Sequence, residues 1–371
     1  MVLSAKIIGI LGGGQLARML CLRATEMGLQ TYVLSEKKTD PAVKVCTKWF
    51  EGKLTKSEDI KKFSDKVDII TFESEFFPGS LLKKSIVQKN KCFPQIDILA
   101  KLQDRWPQKE LLWDFKIPTS PFMKINTKDD LDLAFIAYKN KMVIKQRFGG
   151  YDGFGTHVIS SSRALQSFKN RFNGFENHFI VEAFIPFKAE KSFIFARNLK
   201  GQIYHYPLLT TVQKNNQCDQ VFGPSAHPKE KSLVDKIEKL LKDINYVGVI
   251  AFELFDTGKD LMVNEIAPRV HNSGHITQDA FTLSQFELHL RCILNLDLPK
   301  ENPHTKAFLM QNLSGKSQRK PQIERGLLGK LHWYEKIENR PRRKMGHINY
   351  IGQSLNQLKK SAELDKKKIR L

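Results

Sequence analysis

The chain predicts an α/β and α+β protein: a doubly wound parallel-sheet domain over residues 1–98, a mixed domain over 99–296, and a small C-terminal β-rich appendage over 300–356 with a basic tail, 357–371. Three observations predict this. Strand-type apolar runs alternate with helical spacing up to about residue 98. Longer strands and amphipathic helices mix up to about residue 296, and short strands with Pro/Arg-rich turns follow from about 300. A length of 371 residues fits two to three domains at roughly 150 residues each.

Lys6–Leu11 reads as a strand, Gly12–Gly14 as the turn after it. Leu16, Ala17, Met19, Leu20, Leu22 and Met27 then recur at helical spacing until Gly28, a helix stop. Thr31–Leu34 and Val67–Phe72 are the next strands, and Phe93–Pro94 marks a boundary. Farther on, Met142–Phe148, Phe179–Ile185, Lys191–Ala196 and Val247–Phe255 predict strands; Phe281–Leu294 predicts an amphipathic helix.

Composition narrows the function classes. Hydrophobic residues at 41% and charged residues at 27% allow a packed core and exclude wholesale disorder. No uncharged apolar run is long enough to span a bilayer, and the glycine-rich N-terminus lacks a basic lead for a signal peptide. Cys21, Cys46, Cys92, Cys218 and Cys292 are scattered, with no CxxC pair, so reduced thiols and a cytoplasmic setting are expected. The net charge of +21 raises nucleic-acid binding, but over half of it lies after residue 300 and Lys dominates over Arg, so nucleic acid is not the expected partner.

Several clusters can carry chemistry. Gly12–Ala17 fits G-x-G-x-x-A with Glu36 after the second strand, a pattern open to a dinucleotide, another phosphate or carboxylate, or a bare tight turn. Lys145 precedes a loop with Gly149, Gly150, Gly153 and Gly155, whose backbone amides can approach phosphate closely and whose flexibility suits a lid. Glu253 and Glu265 lie on two strands joined by a DTGKD turn. If Phe255 faces Leu261, they sit diagonally on one face, roughly 7–8 Å apart. With Asn264 they form a hard oxygen set suited to Mg²⁺. Arg269, His271, Asn272, Ser273 and His275 follow as a polar loop, and Arg340–His347 forms a basic cluster that a phosphate could use.

Together, GGGQLARM (12–19), TFESEFFP (71–78), LQDR (102–105), KQRFGGYDGFG (145–155), VEAFIPF (181–187), NEIAPRVHNSGH (264–275), HWYEK (332–336) and RPRRKMGH (340–347) resemble the ATP-grasp superfamily. More closely, they resemble the 5-(carboxyamino)imidazole ribonucleotide synthetases of purine biosynthesis, in family order along nearly the whole chain. The resemblance implies an ATP-grasp ligase with a lid subdomain near 118–183, and a homodimer. The implied reaction uses ATP and bicarbonate to carboxylate the amino group of aminoimidazole ribonucleotide through carboxyphosphate. On the nucleotide side it implies Arg105, Lys145, Gly150, Tyr151, Asp152, Gly153, Phe154, Gly155 and Thr156 at the phosphates, and Glu182, Ala183, Phe184 and Ile185 as the adenine hinge. It further implies Glu190 at the ribose, Gln213 and Asn264 as nucleotide contacts, and Glu253 with Glu265 at Mg²⁺. On the ribonucleotide side it implies Gly14, Gln15, Glu73, Tyr151, Arg269, His271, Asn272, Ser273, Arg343 and Lys344, with Asp152, Lys344, His271 and Arg269 closest to the chemistry.

The chain departs from that pattern in places. Phe154 replaces a usual basic residue, and Arg147 is the expected compensation. Thr211 and Gln213 stand where the family usually has Asn and His, and Ala17 replaces a common glycine. The retained acids and Lys145 predict an active enzyme. The alternatives are an ATP-grasp ligase with another amine substrate, or a catalytically silent nucleotide- or polyanion-binding protein.

Overall fold

The computed structural model describes residues 6–150, 154–172, 174, 178–302 and 304–371. The N-terminal strands β1 (Ile7–Leu11), β2 (Gln30–Ser35), β3 (Lys48–Glu51) and β4 (Ile69–Phe72) pair in parallel, in the order β3-β2-β1-β4. Helix α1 (Gln15–Glu26) lies on one face; α2 (Ser57–Ser64), α3 (Gly79–Ser85) and α4 (Ile96–Gln103) pack in the core on the other. Burial on both faces explains why β1 and β4 read as unbroken apolar runs. The α1 face shares its core with the central domain, and the join is polar as well: Thr71 Oγ1 meets His289 Nε2 at 2.7 Å.

Helix α5 (Arg105–Asp114) leads into the segment expected to be the lid, and called so below, a small antiparallel sheet of β5 (Phe122–Ile125), β6 (Met142–Gln146), β7 (Thr156–Ile159) and β8 (Phe179–Ala183) in the order β5-β8-β6-β7. Its apolar face is covered by α6 (Lys128–Ala137) and α7 (Ser162–Arg171), each started by a side-chain cap, Thr127 and Ser161.

The central sheet contains β9 (Ala189–Arg197), β10 (Ile203–His205), β11 (Leu209–Lys214), β12 (Gln217–Gly223), β13 (Gly248–Asp256) and β14 (Leu261–Ala267). Helix α8 (Glu230–Asp243) packs on one face. On the other face lie α9 (Thr277–Ala280) and α10 (Gln285–Ile293), the second shorter than the helix expected from Phe281 because Ser284 caps it at the Glu287 amide.

The hairpin β13–β14 corrects the expected register. Asp256 faces Leu261 and Leu254 faces Val263, but the pairing then shifts so that Glu253 faces Glu265 directly. Asn264 is the extra residue of a β-bulge, which sequence alternation alone does not reveal.

The C-terminal strands continue the same sheet instead of hanging from it: β15 (Ala307–Ser314) pairs with β12, β18 (Lys344–Gly352) with β15, and β17 (Lys330–Trp333) with β18. Residues 357–371, read from sequence as a basic tail, lie in α11 (Leu355–Lys367) and β19 (Ile369–Arg370), which pairs with β16 (Gln322–Ile323). Leu358, Ala362 and Ile369 are buried, whereas the lysines that dominate the composition cover the outer side. Asp365, wholly buried, accepts from the amides of Leu328 (2.9 Å) and Gly329 (3.1 Å) and from Tyr350 Oη (3.1 Å). No helix among the described residues is long and apolar enough to cross a membrane.

Candidate active site

The lid and the central sheet meet at a cluster of charges. Arg105, the first residue of α5, reaches Glu265 Oε2 at 2.7 Å, Gln146 O at 3.1 Å and Gly150 O at 3.4 Å. Lys145, at the end of β6, donates to Asn264 Oδ1 at 2.8 Å and sits 2.9 Å from Glu182 Oε1. Burial works against ionisation of Glu182, but Lys109 and Lys145 outweigh it and hold the carboxyl at about 2. Gly155 has φ +73° and Thr156 faces Lys145 across the β6–β7 pair; a Cβ at Gly155 would meet Gln146 Oε1 at 2.6 Å. The Ala183 amide is tied to Pro121 O at 2.9 Å and that of Phe184 to Lys141 O at 3.4 Å; Ile185 follows on the way into β9. Glu190, on β9, meets Gln213; burial and the neighbouring Glu253 push its carboxyl up to about 7 against that hydrogen bond. Tyr151, Asp152 and Gly153 lie outside the described residues.

The two hairpin acids face one another, each with a nitrogen partner of its own. Glu265 has Arg105, and Glu253 Oε1 lies 3.2 Å from His271 Nε2. Burial opposes ionisation of Glu253, but His271, with Lys344 and Arg105, lowers its carboxyl overall. The Glu253–Glu265 pair therefore joins the Arg105–Lys145 cluster to the polar loop after β14.

That loop is rigidly held. Gln285 accepts from the His271 amide (2.9 Å) and donates to its carbonyl (2.7 Å); His271 Nδ1 meets Ser273 Oγ at 2.9 Å, which meets Ser192 Oγ at 2.7 Å. Asn272 exchanges amide bonds with Asn312. Arg269 forms a two-pronged pair with Glu75, Nη2 to Oε1 at 2.9 Å. Arg343 donates to Glu338 O at 3.1 Å, near Lys344 at the start of β18.

The glycine turn differs from a phosphate cradle. Glu73 accepts from the Gly14 amide (2.8 Å) and the Ala17 amide (3.3 Å), so a carboxylate of the chain itself occupies the start of α1, where Gln15 begins the helix. A Cβ at Gly14 would meet Glu73 Oε2 at 2.7 Å, which explains the glycine without a dinucleotide. Burial raises the Glu73 carboxyl, against those amides and Lys336.

Comparison with known proteins decides among the readings. Residues 110–286 match the ATP-grasp domain, 5–103 the ribonucleotide synthetase preATP-grasp domain, and 309–361 the phosphoribosylaminoimidazole carboxylase C-terminal domain. The N5-carboxyaminoimidazole ribonucleotide synthase of Synechococcus elongatus is 35% identical over 92% of this chain and 88% of its own. The chain belongs to the N5-carboxyaminoimidazole ribonucleotide synthase family. The N5-carboxyaminoimidazole synthetase of Staphylococcus aureus, solved with ADP, superposes with a TM-score of 0.89, at 29% identity and 97% coverage of both chains. The carboxyaminoimidazole ribonucleotide synthase of Aspergillus clavatus, solved with ATP, gives a TM-score of 0.84 at 25% identity, covering 99% of this chain and 98% of that one. As an N5-carboxyaminoimidazole ribonucleotide synthase, the protein is an ATP-grasp ligase.

Arg147, the expected compensation for Phe154, donates from Nε to Asp104 Oδ1 at 2.8 Å and pairs through Nη2 with Oδ2, which ties it to the start of α5. The guanidinium of Arg342 lies beside the Phe154 ring. Sequence reasoning also missed Lys336, pushed down to about 7 by burial and by Arg343, with Glu73 opposing. Its signal was present in HWYEK, next to the basic cluster. Glu75, Gln285 and Lys109 were missed because each acts on another protein group; Glu75 had a signal in TFESEFFP, and Lys109 in its i,i+4 spacing from Arg105 on α5.

Proposed function

We propose that this chain carboxylates the amino group of aminoimidazole ribonucleotide at the expense of ATP and bicarbonate. A bicarbonate oxygen attacks the γ-phosphorus of ATP, ADP leaves, and carboxyphosphate forms. Carboxyphosphate breaks down to CO₂ and phosphate, and the ribonucleotide's amine attacks the CO₂ carbon and then loses a proton.

The observation that carries this reading is the facing pair Glu253–Glu265, with Arg105 and Lys145 on one side and His271 and Lys344 on the other. Arg105 and Lys145 would neutralise the triphosphate, which phosphoryl transfer needs more than covalent help. Hard carboxylate oxygens at facing positions fit Mg²⁺, and each already has a nitrogen partner, Arg105 or His271, that a metal can displace. Held by Glu253 and Glu265, Mg²⁺ would supply neutralisation of the triphosphate's charge. Arg269, His271, Arg343 and Lys344 would orient the ribonucleotide, while the lid keeps water from carboxyphosphate. A cytoplasmic homodimer belongs to the same reading and rests on family membership alone.

Incubation with ATP, bicarbonate and aminoimidazole ribonucleotide tests the reading: phosphate release should require all three. Release indifferent to the ribonucleotide overturns the substrate.

A further inference from the structure

Lys109 is a buried lysine that none of these roles uses; it is 1% exposed and sits one turn after Arg105 on α5. Its ammonium donates to Thr119 Oγ1 at 2.6 Å and Ser120 Oγ at 2.9 Å and lies 3.0 Å from Glu182 Oε2. Ser120 Oγ donates to the same Glu182 oxygen. The other oxygen, Oε1, faces Lys145 at 2.9 Å. One buried carboxylate thus stands between two ammonium groups.

The network crosses the boundary between lid and body. Lys109 belongs to α5 and Asn264 to β14, whereas Lys145 and Glu182 lie on lid strands β6 and β8. Thr119 and Ser120 form the connection into the lid, fixed because Thr119 Oγ1 donates to Val263 O and the Val263 amide to Pro118 O, each at 2.7 Å.

The two lysines are not equivalent. Lys145 ends a strand beside the glycine loop and is held by Asn264 and Glu182. Lys109 is pinned by two hydroxyls and is 1% exposed. Were Lys145 the sole counter-ion of Glu182, its shift toward a triphosphate would strand a fully buried carboxylate, which is strongly unfavourable. With Lys109 in place, Glu182 stays neutralised while Lys145 turns to its ligand.

We propose that Lys109 is a positioning residue: the fixed counter-ion of Glu182, which frees Lys145 for the nucleotide phosphates and ties lid strand β8 to α5. The proposal rests on Lys145 being a phosphate ligand, so the experiment separates the two ideas. ATP affinity of the full-length protein is measured by calorimetry for wild type, Lys145→Ala, Lys109→Met, Glu182→Gln and Glu182→Gln/Lys109→Met, alongside KM for the ribonucleotide. Lys109→Met is expected to weaken ATP binding at least tenfold and to change the ribonucleotide KM less than twofold. Within the Glu182→Gln background, where no charge needs neutralising, the same substitution should change ATP affinity less than twofold. That comparison also stands if Lys109→Met alone does not fold. ATP binding unaffected by Lys145→Ala overturns the site reading. With Lys145→Ala impaired, wild-type affinity in Lys109→Met, an equal rise in ribonucleotide KM, or a tenfold loss persisting in the Glu182→Gln background overturns the counter-ion role.

Discussion

The guanidinium of Arg342 lies over the ring of Phe154, 4.8 Å from its centroid. Phe154 lies within the glycine loop after β6, whereas Arg342 belongs to the basic segment before β18, so the contact joins residues far apart in the chain. Arg342 also reaches Asn215 O at the β11–β12 turn, and Gln217 Nε2 donates to its carbonyl at 2.9 Å. A positive charge thus reaches the lid from the C-terminal side, although the lid position itself is aromatic.

Cation–π contacts at half-exposed sites contribute about 0.5–1 kcal/mol, or roughly a two- to fivefold effect. Phe154→Ala and Arg342→Ala are each expected to raise KM for ATP and ribonucleotide by about that factor, and the double variant by no more than either alone. Steady-state kinetics of the four proteins reads this out; additive losses would separate the two residues.

Glu265→Gln should abolish Mg²⁺-dependent phosphate release by at least about 100-fold. Arg105 keeps its bonds to Gln146 O and Gly150 O, so thermal unfolding should shift by only a few degrees. Turnover near wild type would remove Glu265 from the metal site.

Glu190 makes stability depend on pH in an unusual direction for a carboxylate. Its carboxyl rises from 4.5 to about 7, through burial and Glu253, so across that window the folded state keeps a proton that the unfolded chain releases. Stability from this group therefore falls as pH rises from 4.5 to 7. Glu190→Gln should be more stable than wild type at pH 8 by on the order of 1 kcal/mol after solvent screening, and the gain should vanish near pH 4.5. Denaturant titrations at the two pH values measure it.

Asp365→Ala leaves the amides of Leu328 and Gly329 and the hydroxyl of Tyr350 without their acceptor. A loss of about 3 kcal/mol is expected by urea unfolding. A basic tail without structure would tolerate the change.

The sequence made the strands and the acids legible because each has a local signal: alternation, apolar runs, and glycine next to charge. Glu253 and Glu265 were found, but their register was not, since the bulge at Asn264 is settled by pairing across the hairpin. Helix α11 was hidden because its buried apolar residues, Leu358 and Ala362, are sparse among lysines. The partners named for Glu73, Arg269 and Lys145 across the site come from residues 37 to 194 positions away, distances over which composition and spacing are silent.

Glu73 changes what the first glycine turn can welcome. With the Gly14 and Ala17 amides engaged by that side chain, the mouth of α1 greets an approaching molecule with electron pairs rather than protons. An incoming anion finds those two amides already taken, and a guest bearing N–H groups meets carboxyl oxygens instead.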